Sequence, residues 1–292
     1  MKPVAFEYCY PDTLEEALQL LVEFGEDGAL ISGGMSLGAM LNMRLVRPAA
    51  IIDINGLEEL AKIEIKADKI RTGALVRQAI AMQSTELAST VPLLMQALPY
   101  VGHYQTRSRG TLGGSVAHAD PSAEIPLSIV TLGGSISLSS LRGQREVAAT
   151  DFFHGLLTTD RKNDEVITAL SWPKTTAKTG FSFKEIAQRH GDFAIAAVAA
   201  KVTVSDDEKI KDLSLGLGGI EDRPFVADTS SFVGKVANPE TANAIANAVA
   251  DTVSPMVDLQ ANADYRRQLV RVLGASALVA AMIDAKGQRG NV

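Results

Sequence analysis

Two glycine-rich segments most strongly constrain how this 292-residue chain can fold. The first glycine segment, ISGGMSLG, spans residues 31–38, and the second, TRSRGTLGGSVAHADPSAE, spans residues 106–124. Both combine small hydroxyl side chains with glycines, which permit positive φ angles or the close approach of a ligand. Both segments are expected to form loops, and backbone N–H groups exposed in such a loop can surround an anionic phosphate. The pair therefore predicts one ligand with two or more polar ends.

The same pattern has simpler interpretations. A Gly-Gly pair marks an ordinary turn more often than a ligand site. Neither segment matches the GxGxxG fingerprint or the GxxxxGK[ST] phosphate loop, which disfavours a nicotinamide-type site and a Walker-type ATPase. A third run, LGLGGI at residues 215–220, lies in or just after a predicted strand, so we expect a bulge or tight bend there.

Composition excludes several classes of protein. Apolar residues make up 46% and charged residues 21%, as in soluble globular proteins. The net charge of −6 argues against a nucleic-acid binder. One cysteine, Cys9, can form neither an internal disulfide nor a cysteine-based zinc or iron–sulfur site, so redox chemistry would need an organic cofactor or a partner. No signal peptide or membrane-spanning run is expected, and the cytoplasm is the default location.

Short strands and helices alternate without the spacing of a doubly wound sheet, which predicts the α+β class. Thr13 and Glu16 form a capping box for a first helix. The segment AIAAVAAK, residues 194–201, is compatible with a helix or with the start of a strand. Alternation of apolar and polar residues predicts hairpins at about 60–76 and 133–147. Helical periodicity of the apolar residues predicts two final helices at about 239–253 and 265–286. The polar stretch 173–180 predicts a domain boundary.

Few residues suggest catalysis. The four histidines make a triad conceivable, but no GxSxG elbow accompanies them. His118, Asp120 and Glu124 could ligate a metal, although Pro121 separates them and no HExxH helix is present. Asp120 and Glu124 are more simply acceptors for hydroxyl groups of a ligand, or caps of the segment that Ser122 begins. No catalytic and no metal-ligating residue is assigned.

A polar group interrupts the otherwise apolar segment FKEIAQRHGDFAIA, residues 183–196. It consists of Lys184, Arg189 and Asp192. These residues predict either an ion pair that orders a domain junction or a contact with a cofactor.

Four ordered motifs carry a resemblance to a known family. ISGGMSLGAMLNMRLVRPAAIIDI, TGALV, TLGGSVAHADPSAEIP and KEIAQRHGDFAIAAVAA resemble, in order and spacing, the FAD-binding medium subunit of molybdenum hydroxylases. This is the xanthine dehydrogenase family, which includes the carbon monoxide dehydrogenase flavoprotein. The resemblance covers nearly the whole chain.

The resemblance implies a fold of two domains. A vanillyl-alcohol-oxidase-type (PCMH-type) FAD-binding domain would span residues 1–176, with subdomains at about 1–56 and 57–176. A C-terminal α+β domain with a three-stranded antiparallel sheet and helices would span residues 177–288, before a tail at residues 289–292.

The resemblance also implies a site for noncovalently bound FAD, with its pyrophosphate on the two glycine segments. Ala123 and Glu124 would meet ribityl or ribose hydroxyl groups, Val166 and Ile167 would flank the ring system, and Lys184 would approach the isoalloxazine. Met35 stands where relatives often carry a polar or small residue. The implied cofactor-binding residues are Ser32, Gly33, Gly34, Met35, Ser36, Leu37, Val101, Gly102, Gly110, Thr111, Gly113, Gly114, Ser115, Ala123, Glu124, Val166, Ile167 and Lys184.

The implied function is electron transfer within a complex. A small partner subunit would carry two [2Fe–2S] clusters, and a large one would carry molybdopterin and hydroxylate a substrate such as a nitrogen heteroaromatic compound. Electrons would pass from the clusters to FAD and on to an external acceptor, in a dimer of heterotrimers. Two alternatives stay open, namely a free-standing FAD oxidase and an assembly factor without flavin. The substrate and the acceptor, whether oxygen, a quinone, NAD or a small carrier, do not follow from this chain.

Overall fold

The computed structural model describes residues 2–287. A small N-terminal subdomain packs one helix on a parallel sheet with the strand order β1-β3-β2. The predicted capping box forms in part, because Thr13 Oγ1 accepts from the Glu16 N–H at 3.2 Å, whereas Glu16 Oε2 accepts at 2.8 Å from the N–H of Asp12, the residue before the cap. The elements are β1 (Glu7–Cys9), α1 (Leu14–Phe24), β2 (Gly28–Ile31), α2 (Leu37–Asn42) and β3 (Ala50–Asp53).

The second subdomain combines six helices with a five-stranded antiparallel sheet. The order of that sheet is β4-β5-β10-β6-β7, in which β4/β5 and β6/β7 are the two predicted hairpins. The elements are β4 (Ile63–Ile65), β5 (Lys69–Gly73), α3 (Gln78–Gln83), α4 (Thr85–Thr90), α5 (Pro92–Ala97), α6 (Tyr104–Arg109), α7 (Leu112–His118), α8 (Glu124–Leu132), β6 (Ser135–Ser140), β7 (Gly143–Ala148), β8 (Phe153–Gly155), β9 (Thr158–Thr159) and β10 (Val166–Pro173).

The second glycine segment is mostly helical, whereas the sequence suggested a loop. It contains most of α6, all of α7 and the first residue of α8. Thr111 caps α7 by accepting from the Gly114 N–H at 2.9 Å, and Ala119 ends it with a φ of 53°. A side-chain cap and tertiary packing outweigh the low helix propensity of two adjacent glycines.

The C-terminal domain is an antiparallel sheet with the order β11-β12-β13-β14, followed by two helices. The sequence-based expectation of three strands is short by one, because a three-residue strand pairs with the end of β13. The segment AIAAVAAK is strand from Ala196 onward, since it is covered on one face by α10 and on the other by α8, and small side chains fit there. The elements are β11 (Thr179–Ile186), β12 (Ala196–Val204), β13 (Ile210–Gly218), β14 (Phe225–Ala227), α9 (Pro239–Thr252) and α10 (Ala263–Ala285).

The two faces of the C-terminal sheet pack against different parts of the molecule. The helix α10 covers β11 and β12 on one face, and α5 and α8 of the second subdomain cover the other. On β11, a Cβ added at Gly180 would collide with the backbone of α10 at Ala281. Even-numbered residues of β11 therefore face α10, and odd-numbered residues face α5 and the core to which α8 belongs.

One hydrophobic core crosses the predicted domain boundary. It joins α8 to Phe181 and Phe183 of β11, whereas a second core lies between the C-terminal sheet and its own helices, and a third lies under α1. We propose that the boundary lies in the connection 174–178 between β10 and β11. The predicted tail, residues 289–292, lies outside the described residues.

The helix α10 is long and apolar enough, by length and composition, to cross a membrane. Half of its most apolar stretch is buried inside the protein, where it packs against α9, β11 and β12. The core helix of a globular protein has the same properties, and we interpret α10 in this way. The sequence predicts this helix at about 265–286 but no run long enough to span a membrane, whereas α10 meets that criterion by length and composition.

Candidate functional site

A cavity of about 620 Å³ lies where the two glycine segments meet. Its volume is within the range of about 300–1,000 Å³ that is usual for small-molecule and cofactor sites. Every predicted site residue except Lys184 lines it, namely Ser32, Gly33, Gly34, Met35, Ser36, Leu37, Val101, Gly102, Gly110, Thr111, Gly113, Gly114, Ser115, Ala123, Glu124, Val166 and Ile167.

The first glycine segment offers free backbone donors. Within the part of the chain that the structure describes, the N–H groups of residues 33–37 donate no hydrogen bond. Gly34 has a φ of 70°, and α2 begins three residues later at Leu37. A positive-φ glycine followed by the free N–H groups of a helix start produces a concave set of donors that suits an anion.

At the start of α7, the N–H groups of the second glycine segment already donate to other parts of the protein. The N–H of Leu112 donates to Val76 O at 3.0 Å, that of Gly113 to Ala74 O at 2.9 Å and that of Gly114 to Thr111 Oγ1 at 2.9 Å. The expectation of two segments with exposed N–H groups is therefore wrong for the start of α7. This segment shapes the cavity wall instead.

The glycines let the two segments touch. Ser32 Oγ lies 3.1 Å from Thr111 Oγ1. A Cβ at Gly33 would collide with the backbone of Arg109 and would lie 2.9 Å from Gly110 Cα. A Cβ at Gly114 would lie 2.6 Å from Thr111 Oγ1. Side chains at these positions would push the walls of the cavity apart.

A network of polar side chains outside both glycine segments also joins the two segments. The sequence did not predict this network. Asn55 Nδ2 donates to Ser32 O at 2.7 Å, and Arg77 Nη2 donates to Asn55 Oδ1 at 2.6 Å. The other terminal nitrogen of the Arg77 guanidinium, Nη1, donates to Arg109 O. Burial lowers the pKa of Arg77 from its usual value. Because Asn55 and Arg77 lie outside both glycine segments, no local motif pointed to them.

Behind Asn55, the network reaches β1. Asp53 Oδ1 accepts from the Asn55 N–H at 2.9 Å, and Asp53 Oδ2 accepts from Tyr8 Oη at 2.7 Å. This second hydrogen bond is the main cause that raises the pKa of Tyr8 to about 12. The chain of hydrogen bonds therefore connects the first glycine segment to the parallel sheet beneath it.

One buried acceptor in the cavity wall lacks a donor. Gln78 lines the cavity, is 4% exposed, and its Oε1 has no hydrogen-bond partner in the described chain. An unpaired buried acceptor costs free energy unless a ligand or water supplies a donor. The hydroxyl and amino groups of a dinucleotide are such donors, so Gln78 fits FAD although the sequence did not identify it.

An acidic group forms another part of the wall. Glu124 is 7% exposed, and burial raises the pKa of its carboxyl to about 7, with Asp120 adding to the effect and Arg107 opposing it. Arg107 Nη1 donates to the carbonyl groups of Val101 and Gly102, each at 2.9 Å. Arg107 therefore holds the predicted 101–102 contact in place. Within residues 2–287, no group of three His, Cys, Asp or Glu side chains could hold a metal ion.

Lys184 is the predicted residue that the structure does not bring to the cavity. It is even-numbered on β11 and pairs with Val198, a member of the core between the C-terminal sheet and its helices. Its neighbour Glu185 faces the FAD-binding domain instead. Among the described ion pairs, none joins Lys184, Arg189 and Asp192, so the predicted junction ion pair is not formed, while Asp192 does line the cavity.

Comparison with known proteins assigns both domains. Residues 4–175 match the family described as the FAD-binding domain in molybdopterin dehydrogenase. Residues 181–281 match the carbon monoxide dehydrogenase flavoprotein C-terminal domain. The chain belongs to the FAD-binding medium subunits of the molybdenum hydroxylase family. It is thus an FAD-dependent oxidoreductase subunit, which confirms the resemblance, the cofactor and the α+β fold.

Several individual relatives cover almost the whole chain. The glyceraldehyde dehydrogenase medium chain of Sulfolobus acidocaldarius is 35% identical over 95% of this chain and 98% of its own length. The nicotine 6-hydroxylase medium subunit of Paenarthrobacter nicotinovorans is 35% identical over 96% and 99%. Among solved structures, quinoline 2-oxidoreductase from Pseudomonas putida 86 superposes with a TM-score of 0.93 at 33% identity, over 99% of this chain and 100% of that one.

Proposed function

We propose that this subunit holds FAD noncovalently in the cavity between the glycine segments and uses it to carry electrons from a partner's [2Fe–2S] clusters to an external acceptor. The observation that carries the proposal is the run of free N–H groups at residues 33–37, which opens into a cavity of cofactor size. With one cysteine in the chain, the protein supplies no cluster of its own.

Different residues of the cavity wall would bind different parts of FAD. The free N–H groups of residues 33–37 would donate to the pyrophosphate oxygens. Glu124 and Gln78 would accept hydrogen bonds from hydroxyl or amino groups. Val166 and Ile167 would contact the ring system, and Arg161, which also lines the cavity, adds a positive charge. Replacement of water by these fixed groups orients the cofactor and excludes solvent from it.

When bound, FAD supplies the ability to take up electrons singly and to release them singly or in pairs. No acid–base side chain of this chain is required for that task. We therefore assign no catalytic residue.

The partners follow from the relatives' roles. Medium subunits of this kind would work beside a small iron–sulfur subunit and a large molybdopterin subunit, and we propose a dimer of such heterotrimers in the cytoplasm. The large subunit would hydroxylate the substrate. Relatives named for nicotine, caffeine and quinoline favour a nitrogen heteroaromatic compound, while those named for glyceraldehyde and carbon monoxide show the breadth of the alternatives.

An absorption spectrum of the purified full chain, followed by acid precipitation, tests the proposal. Yellow colour that leaves with the supernatant and behaves as FAD would support a noncovalent flavoprotein. Reduction of that flavin only when the iron–sulfur partner is present and reduced would support the electron route. Oxidation of a small substrate by the isolated chain would favour a free-standing oxidase, and a chain that refuses added FAD would favour an assembly factor.

A further inference from the structure

A buried arginine joins three segments of the C-terminal domain. Arg266 of α10 is 1% exposed, and its Nη1 donates to Ile195 O and to Gly219 O, the latter at 2.5 Å. Its Nη2 donates to Asp258 Oδ2 at 2.6 Å. Because a guanidinium is planar and forked, it fixes these acceptors relative to one another. Arg266 therefore ties together the residue before β12, the residue after β13 and the connection between α9 and α10.

Stability alone is a weak explanation for this buried charge. The transfer of a charged side chain out of water is costly, and apolar residues often replace a buried ion pair without loss of stability. The carboxylate of Asp258 is 42% exposed, so solvent screens its attraction for Arg266. Within residues 2–287, Arg266 Nε has no hydrogen-bond partner, which adds a further cost. What the guanidinium provides is a fixed position for two backbone carbonyl groups.

The first of these carbonyl groups leads to the second glycine segment. Gly219 accepts from Arg266 through its O atom and donates through its N–H to Pro121 O at 2.8 Å. Gly219 has a φ of 67°, and a Cβ there would lie 3.2 Å from Ser122 Oγ. Gly219 is therefore packed between the guanidinium and the segment that contains Pro121.

Pro121 belongs to a compact turn in the cavity wall. The Ser122 N–H donates to Asp120 Oδ1 at 2.8 Å, and the Ala123 N–H donates to Asp120 O at 3.0 Å. Because these bonds hold residues 120–123 together, a shift of Pro121 moves its neighbours with it. Three residues of this stretch line the cavity, namely Asp120, Ala123 and Glu124.

The second carbonyl group leads to another part of the cavity wall. Ile195 is the last residue of the connection 187–195 between β11 and β12. A Cβ at Gly191 in this connection would lie 2.8 Å from Gly102 O, so the connection packs closely against a predicted site residue. Arg266 holds the end of this connection in place. The residues of the connection that line the cavity are Gly191, Asp192 and Phe193.

We propose that Arg266 is a positioning residue of the cofactor site. Its hydrogen bonds to Ile195 O and Gly219 O hold the C-terminal sheet against residues 120–124, and so fix the acceptors that would meet hydroxyl groups of FAD. This inference rests on the proposed function. Loss of the guanidinium releases Gly219 and Pro121, and weakens FAD binding by more than an equal loss of stability elsewhere in the domain.

The first test compares G219A with G234A in the full chain. Both glycines have a positive φ, 67° and 85°, so alanine strains both backbones. Only the Cβ at position 219 crowds Ser122, because nothing lies within 4 Å of a Cβ at Gly234. With the FAD dissociation constant measured by flavin fluorescence, G219A should bind about tenfold more weakly, and G234A should change less than about twofold.

The second test compares R266M and R266K with L278A. Leu278 is fully buried in α10 and belongs to the core between the C-terminal sheet and its helices, so alanine destabilises the domain by opening a cavity there. At a temperature where all variants are folded by circular dichroism, R266M should bind FAD about tenfold more weakly than wild type. L278A should keep wild-type affinity, and R266K, which retains the charge but not the fork, should fall between wild type and R266M.

Hydrogen exchange of the flavin-free full chain provides a readout that does not depend on the cofactor. R266M should accelerate exchange of the N–H groups of Ser122 and Ala123 relative to L278A, because the contact that supports Pro121 is lost.

Equal FAD affinities of R266M and L278A, or of G219A and G234A, would overturn the inference, since stability alone would then account for Arg266. Failure of wild-type chain to bind FAD would instead refute the proposed function. Hydrogen exchange would still decide in that case whether Arg266 positions residues 120–124.

Discussion

The first and second glycine segments look alike in the sequence but use their backbones in opposite ways. In the first, the N–H groups of residues 33–37 donate no hydrogen bond within residues 2–287, and these residues line the cavity. In the second, the N–H groups at the start of α7 are bonded to residues 74–76 and to Thr111. The comparison teaches that a glycine pair can mark either a ligand cradle or a close packing contact. The two cases differ in whether the backbone N–H groups of the segment already have hydrogen-bond acceptors in the protein.

The largest effect is expected from G33A. Its Cβ would collide with the backbone of Arg109 and separate the two segments. Overpacking of this kind costs about 1–3 kcal/mol, and if FAD binding bears that cost, its affinity falls roughly five- to 150-fold. G38A is the matched control, because nothing lies within 4 Å of its Cβ and alanine favours α2. Flavin content after gel filtration checks both variants, and equal retention by G33A and G38A would contradict the cradle assignment.

N55A should have the next largest effect. It removes the bridge from Ser32 O to Arg77 and leaves a partly buried guanidinium without one of its acceptors. The free energy of unfolding should fall by about 1–3 kcal/mol, and FAD should bind more weakly because the first segment is released. Urea unfolding with and without FAD provides the measurement. N243A, which removes an exposed asparagine bonded within α9, is the control and should leave FAD affinity unchanged.

T111A sharpens the difference between the segments. It removes the cap of α7 and the contact with Ser32, so we expect a loss of about 1 kcal/mol in the free energy of unfolding. Because the second segment shapes the wall and donates no free N–H there, FAD affinity should change less than threefold. T111S keeps the capping oxygen and should restore stability. A loss of FAD without a loss of stability would reverse the roles assigned to the segments.

Y8F should have the smallest effect. The Tyr8 side chain is 58% exposed, and its hydrogen bond to Asp53 lies at the outer end of the network. We expect a loss of about 0.5 kcal/mol and unchanged flavin content. The apparent pKa of the Tyr8 phenol, followed by ultraviolet absorption, should lie near 12 in wild type. A normal tyrosine titration would show that the network ends at Asp53.

The features predicted correctly from the sequence are those that depend on patterns of neighbouring residues. The capping box of α1, the hairpins and the cavity-lining glycines all depend on residues close together in the chain. Lys184 was predicted at the cofactor site from its position in a motif. Such a position identifies a residue but not the face of the strand on which its side chain lies, and a shift of one residue reverses that face. The second glycine segment was read as a loop because its helical turns depend on contacts with residues 74–76. Spacing in the sequence gives no signal for residues that act across the fold, such as Asn55, Arg77 and Gln78.

The helix α8 determines how this subunit responds to cleavage and to unfolding. All nine of its residues are buried, and it packs against β12 and β13 of the C-terminal sheet as well as against helices of its own domain. An apolar core shared in this way makes neither domain complete alone. Cleavage of the connection 174–178 should therefore leave two fragments that stay associated, and the chain should unfold in one cooperative transition that carries the cofactor site with it.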